Sequence, residues 1–150
     1  MNRRMRHGAG LVPAVALALT VTACRARPDV RVLADERLAA PLQQIVALYE
    51  ERAKQRVHVA YSSRGRMDVM LVSGKDDIIL ADAAQIDARP ATGGLDRTSR
   101  RDFAVGGAGE RYGLILRERA AARAEVQAFW RFVTEAEARA ILGSAGFSAP

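Results

Sequence analysis

"VRVLADERLAAPLQQIVALYEERAKQRVHVAY" spans residues 30–61, and its hydrophobic period changes twice. Val30, Val32 and Ala34 alternate on one face with Leu33 on the other, which predicts a buried strand. Leu38, Leu42, Ile45, Tyr49 and Ala53 then recur at spacings of three and four, a helical pattern in which Pro41 is tolerable in the first turn. "VHVAY" (57–61) returns to the period of two and predicts a second strand. Beyond "SSRG", Met67, Met70 and Leu71 share one face of a short helix that Gly74 can end. "IILA" (78–81) is a third strand, preceded by Asp76 and Asp77 at a turn. Strand, helix, strand, helix, strand predicts an α/β domain in which a parallel sheet carries packed helices.

The second half is less regular. "ARPATGGLDRTSRR" (88–101) breaks every periodicity and reads as a loop or linker. "FAV" (103–105) and "YGLIL" (112–116) are further strand candidates on either side of "GGAGER". Val126, Phe129, Trp130 and Val133 make the apolar face of a helix and read as core. Thr134 and Glu137 have the spacing of a capping box opening a last helix, which Gly143 closes.

The chain starts with a different kind of segment. Arg3, Arg4 and Arg6 precede an uncharged run from Gly8 to Ala23 that is shorter than the roughly 20 residues of a membrane span. It reads as a secretory leader over residues 1–23, outside the fold. The leader ends in "VTAC" (21–24), which resembles the bacterial lipoprotein box, and that resemblance implies cleavage before Cys24 and a lipid on its thiol. The alternative is ordinary cleavage nearby, with Cys24 left as a thiol. Cys24 is the only cysteine, so no intramolecular disulfide is expected. Residues 24–29 read as a tether and 30–150 as one domain.

Removing the three leader arginines lowers the formal charge from +6 to +3. Basic and acidic residues interleave in "YEERAKQR" and "LRERAAARAE", as on a solvated helix surface, and no basic stretch alternates with aromatics. Nucleic acid is not an expected partner. His58 lies mid-strand between two valines, and Ser62, His58 and Asp82 lack the arrangement of a triad. Asp76 and Asp77 read as turn residues. No phosphate loop, zinc spacing or dinucleotide fingerprint occurs, so neither an enzyme nor a metal or cofactor site is expected.

The tail "YGLILRERAAARAEVQAFWRFVTEAEARAILGSAGF" (112–147) resembles the closing segment of bacterial periplasmic molybdate-binding proteins. "VLADERL" (32–38), "YSSRG" (61–65) and "DDIILAD" (76–82) are similar to that family's earlier motifs in order and spacing. The resemblance covers residues 30–87 and 103–149. It implies a type 2 periplasmic binding protein fold: one α/β lobe with a mostly parallel sheet of about five strands and helices on both faces. The family's second lobe would lie between Asp82 and Tyr112, where this chain has too few residues for one. A short loop at about 88–111 is expected in its place.

The resemblance also implies the site. Ser62 and Ser63 match family serines that hold a tetrahedral oxyanion at a helix start, where unpartnered N–H groups and the helix dipole favour negative charge. Arg64 is interposed before Gly65, and Arg37 stands where a further family serine would be. The alternative is that Ser62 and Ser63 only cap a helix. Arg37 and Arg64 either point into an open crevice or fold back onto Glu36, Asp68 or Asp82, and the second is expected of a half-site exposed to water. Such a half-site would hold an anion at millimolar strength at best, about 4 kcal/mol.

The functional expectation is an extracytoplasmic lipoprotein, anchored through Cys24 to the cell membrane or the outer membrane. It would resemble the molybdate- or tungstate-binding component of an ABC transporter, with a permease as possible partner and with weak or partner-dependent ligand binding. The alternative is an accessory module that docks another envelope protein and binds no small ligand.

Overall fold

The protein is seen in a computed structural model that describes residues 29–90 and 93–150, without the side chain of Ser73. The leader, Cys24 and most of the tether lie outside the described residues. Strands β1 (Val30–Asp35), β2 (Val57–Ser62) and β3 (Ile78–Asp82) run parallel. β4 (Leu95–Val105) and β5 (Arg111–Arg117) extend the sheet in the order β2-β1-β3-β5-β4. β5 is antiparallel to both its neighbours, so four of the five strands point one way.

The period of two sorts side chains into two cores. Val30, Val32, Ala34, Ile78, Leu80, Tyr112, Leu114 and Leu116 face one layer. That layer is formed by α1 (Ala39–Ala53), α4 (Ala124–Phe132) and α5 (Ala136–Ser144). Leu33, Ile79, Ala81 and Ile115 meet Met67 and Leu71 of α2 (Arg64–Ser73) and Ile86 of α3 (Ala83–Asp87) on the other face. All five residues of β3 are buried, because β3 is central and covered on both sides. The α/β lobe with helices on both faces is thus the fold. Within it, Phe129 meets Tyr49 edge-on at 4.9 Å and docks α4 on α1.

Several local expectations fail. The second half of the stretch 88–101 is strand: β4 occupies Leu95–Val105, so the interval between β3 and β5 holds a helix and an edge strand rather than only a loop. Its polar sequence hid it. An edge strand has a row of groups open to water, and β4 carries register shifts between Asp96 and Arg101 and between Asp102 and Ala104. Within the first shift the Ser99 hydroxyl accepts the Leu116 N–H at 2.9 Å, a side chain standing in for a backbone acceptor. The capping box does not form either. The Thr134 hydroxyl donates back to the Arg131 carbonyl at 2.7 Å, and the Glu137 carboxylate is taken by Arg52 of α1. Finally, α5 runs through Gly143, and the left-handed residue after it is Gly146 (φ 86°).

The aspartates before β3 are not solvated turn residues. Asp76 and Asp77 are buried, and each holds an arginine of the "LRERAAARAE" run. Arg117 ends β5 rather than lying on a solvated helix; it donates to Asp76 at 3.1 Å and to the Leu71 carbonyl of α2 at 2.5 Å. Asp77 accepts from the Arg31 N–H at 3.0 Å, from Arg123 at 3.0 Å and from Arg119 at 3.4 Å.

Phe129 is fully buried, so Phe129→Ala should cost about 3–5 kcal/mol in chemical denaturation. Arg117→Ala strands a buried carboxylate and should cost a similar amount, about 3–5 kcal/mol. A variant that melts like the parent would show that the corresponding contact is not made.

Candidate functional site

The carboxyl ends of β1, β2 and β3 bring the predicted residues together. Register sets Asp35 beside Ser62, Ala34 beside Leu80, and Asp82 beside Tyr112. Each strand runs directly into a helical turn at this end, a place where open α/β sheets gather ligands.

Two of the three turns are capped by the chain's own carboxylates. Asp35 is the N-cap of a 3-10 turn, Glu36–Leu38, and accepts from the Arg37 N–H at 3.0 Å. The Arg37 side chain wraps round to the same carboxylate, Nε at 3.0 Å and Nη2 at 2.9 Å. Asp35 is fully buried. Burial pushes its carboxyl up, but the Arg37 hydrogen bonds and the charges of Arg37 and Arg64 together hold it below the usual carboxylate range. Asp82 caps α3 through the Ala84 N–H at 2.9 Å, and the Arg64 guanidinium lies 3.3 Å from its carboxylate.

The third turn is built differently. Ser63 has the extended dihedrals of an N-cap (φ −66°, ψ 155°), but its hydroxyl makes no capping bond. Its carbonyl accepts from the Arg66 and Met67 N–H groups at 3.0 and 2.9 Å. The Arg64 and Gly65 N–H groups therefore stand outside the helical ladder, as at any helix start. Ser62 is buried, and its hydroxyl reaches only the Ser63 carbonyl at 3.4 Å. Gly65 has no neighbour within 4 Å of a Cβ position, so nothing in the packing requires glycine there.

Arg37 and Arg64 both fold back onto carboxylates rather than converging on open space. The partner of Arg37 is Asp35, not Glu36, while Asp68 is taken by Arg89. Arg37 also lies 3.6 Å from Glu110 and 5.2 Å over the Tyr112 ring. Phe147 packs edge-on against that ring at 5.8 Å, which ties the chain's last turn to the site. Burial pushes the Tyr112 hydroxyl up. Asp35, Glu110 and Tyr112 were not singled out as site residues from the sequence. An aspartate ending a strand before a helical turn was the available signal for Asp35.

Asp35, Asp82 and Glu110 set three carboxylates against the two guanidinium groups, so the local charge is one unit negative. A tetrahedral oxyanion arriving here meets acceptors already holding the donors it needs. His58 plays no part: it is exposed, near the opposite end of β2 from Ser62, and pairs with Asp29 at 2.9 Å. Among the described residues no group of three or more His, Cys, Asp or Glu side chains could hold a metal ion.

No family model matches the chain, and no curated protein matches it. Solved structures do share its fold. The periplasmic molybdate-binding protein of Azotobacter vinelandii superposes with a TM-score of 0.71 at 11% identity, over 81% of this chain and 99% of that one. The substrate-binding domain assigned to a molybdenum ABC transporter from Clostridium difficile gives 0.70 at 9% identity, over 81% and 99%. Peb3 from Campylobacter jejuni gives 0.62 at 11% identity, over 81% and 100%. At such identities the likeness establishes a periplasmic-binding-protein fold and nothing finer.

Asp35 supplies a pH test. A carboxyl held low when folded contributes stability that is present above its unfolded value, near 3.8, and is lost as pH falls through the lower folded value. Asp35→Asn should therefore cost about 2 kcal/mol at neutral pH, and the gap to the parent should close as pH drops below about 4. Melting curves across that range read it directly. A gap that stays constant with pH would mean that Arg37 does not hold the carboxyl down.

Proposed function

We propose that the chain is an extracytoplasmic lipoprotein of solute-binding-protein type, reduced to one lobe, that acts by docking an envelope protein rather than by capturing a free oxyanion. The observation that carries this reading is the self-satisfied site. Asp35 and Asp82 fill two of the three helix starts that surround the Ser62–Ser63 turn, and they already engage Arg37 and Arg64, the cations an anion there would need. An incoming anion must break ion pairs worth as much as those it would form, with no second wall to exclude water. Its location is supported by the leader, by the "VTAC" box at Cys24 and by the periplasmic matches to the fold. No helix among the described residues is long and apolar enough to cross a membrane, and in this reading lipid on Cys24 is the anchor.

One observation favours a second reading, partner-dependent oxyanion binding. The Ser63 hydroxyl makes no cap, and it sits with the Arg64 and Gly65 N–H groups at the start of a ten-residue helix. An ABC permease or other envelope protein closing over this end would supply the missing wall. It would exclude water and release Arg37 and Arg64 toward molybdate, tungstate or a similar anion.

A thermal-shift series separates the two. The domain from Arg25 onward is titrated with molybdate, tungstate, sulfate and phosphate to millimolar concentration. A ligand at 100 times its Kd stabilises by about 2.7 kcal/mol. No shift with any anion is the expected result. A saturable rise with molybdate or tungstate, lost in a Ser62→Ala, Ser63→Ala double variant, would overturn the docking reading in favour of solute capture.

A further inference from the structure

The end of the sheet opposite the candidate site carries two features that the proposed function does not use. The first is a basin of about 280 Å³ lined by Asp29, Arg31, Lys75, Asp77, Arg119 and Arg123. Asp77 is saturated within it by Arg119, Arg123 and the Arg31 N–H, and Asp29 is paired with His58. The guanidinium of Arg31 and the ammonium of Lys75 have no acidic partner among the described residues, and both residues are exposed. The basin therefore offers positive charge to an external anion.

The second feature is apolar and continuous with the first. A groove of about 250 Å³ lies beside the basin, lined by Val59, Ala60 and Met70 and sharing Arg31 and Lys75 with it. Separately from the groove, the outer face of α2, opposite the buried Met67 and Leu71, carries an apolar strip of Val69 and Val72, 73% and 76% exposed. An apolar groove edged by unpaired cations, with an exposed apolar strip on the helix that supplies Met70 to it, fits the interface of a lipid bilayer, where acyl chains lie just below phosphate groups.

The chain itself indicates which surface is near. The described residues begin at Asp29, which lines the basin, and only Arg25, Ala26, Arg27 and Pro28 separate it from Cys24. Even fully extended, that stretch keeps the basin within about 18 Å of the cysteine. It also adds two more arginines on the way. A lipid on Cys24 would leave this end of the domain facing the membrane and the Ser62 end facing away.

We infer that the basin and the α2 strip form a membrane-resting face that binds the phosphate headgroups of anionic phospholipids through Arg31 and Lys75. The inference rests on the reading of Cys24 as the anchor for its orientation, but the face can be tested without the lipid. Both cores are built from residues within 30–142, so the domain from Arg25 onward contains the whole fold.

The experiment is flotation of that non-lipidated domain with vesicles. Binding should be at least about tenfold stronger to phosphatidylcholine containing about 30% phosphatidylglycerol than to phosphatidylcholine alone, and should fall about tenfold between about 0.1 and 0.5 M salt. An Arg31→Glu, Lys75→Glu double variant should lose at least about tenfold, and a Val69→Ser, Val72→Ser variant should lose severalfold on the same vesicles. Circular dichroism melting confirms that each variant is folded. Equal binding to both vesicle types, or full binding by the folded charge-reversed variant, would overturn the inference. So would release by millimolar inorganic phosphate at constant ionic strength, because the basin would then be a site for the free ion. Failure of the anchor reading is distinguishable: it shows as absence of lipid on Cys24 in the full chain, whatever the vesicles report.

Discussion

The buried aspartate pair ahead of β3 is the contact on which the remaining architecture depends. Asp76 ties the start of β3 to the end of β5 through Arg117, and Arg117 also reaches the last turn of α2 at the Leu71 carbonyl. Asp77 takes the Arg31 N–H of β1 on one oxygen and Arg119 and Arg123 on the other. Three stretches that are remote in sequence, at residues 31, 71–77 and 117–123, are thus held at one end of the central strand. Buried carboxylates are costly unless every lone pair is engaged, and here multiple charged donors engage them. The arrangement therefore specifies one register: sliding β5 by a residue would strand a charge.

That clamp fixes the relation between the two ends of the sheet. With β3 held by β1 on one side and β5 on the other, Asp35, Ser62, Asp82 and Tyr112 come level at the opposite end. There the same physics recurs in milder form. Free helix starts attract anions, and in this chain two of them are filled from within by Asp35 and Asp82. A lobe without a partner lobe exposes that surface to water; at these two starts an internal carboxylate takes a backbone donor whether or not a ligand arrives, while the α2 start keeps no side-chain cap. The cost is a cluster of side chains with net negative charge.

The two ends then have separate chemistries. One holds an apolar strip and unpaired cations beside the point where the described chain begins; the other holds paired carboxylates, a tyrosine–arginine stack and the closing Phe147. In the functional reading proposed above, the first end faces lipid and the second faces the partner. The parallel strands set the distance between them.

The strand–helix–strand periodicity of residues 30–61 and the apolar stripe of Val126, Phe129 and Val133 were legible from sequence. A period of two or of 3.6 is a local property that burial on one face imposes directly. Ser62, Ser63, Arg64 and Arg37 could be gathered at one end because parallel strands put all their carboxyl ends together. What sequence did not carry was anything set by pairing across the sheet. β4 reads as a loop because an edge strand with register shifts buries too little to impose a pattern. Asp76 and Asp77 read as turn residues, and Arg117 as helix surface, because each looks solvated until a partner some forty residues away is placed against it. Local chemistry determined the elements. That Arg37 and Arg64 fold back was expected of an exposed half-site, but the carboxylate each one takes fell to tertiary structure, because the orientation of a long cation depends on which acids the fold brings within its reach.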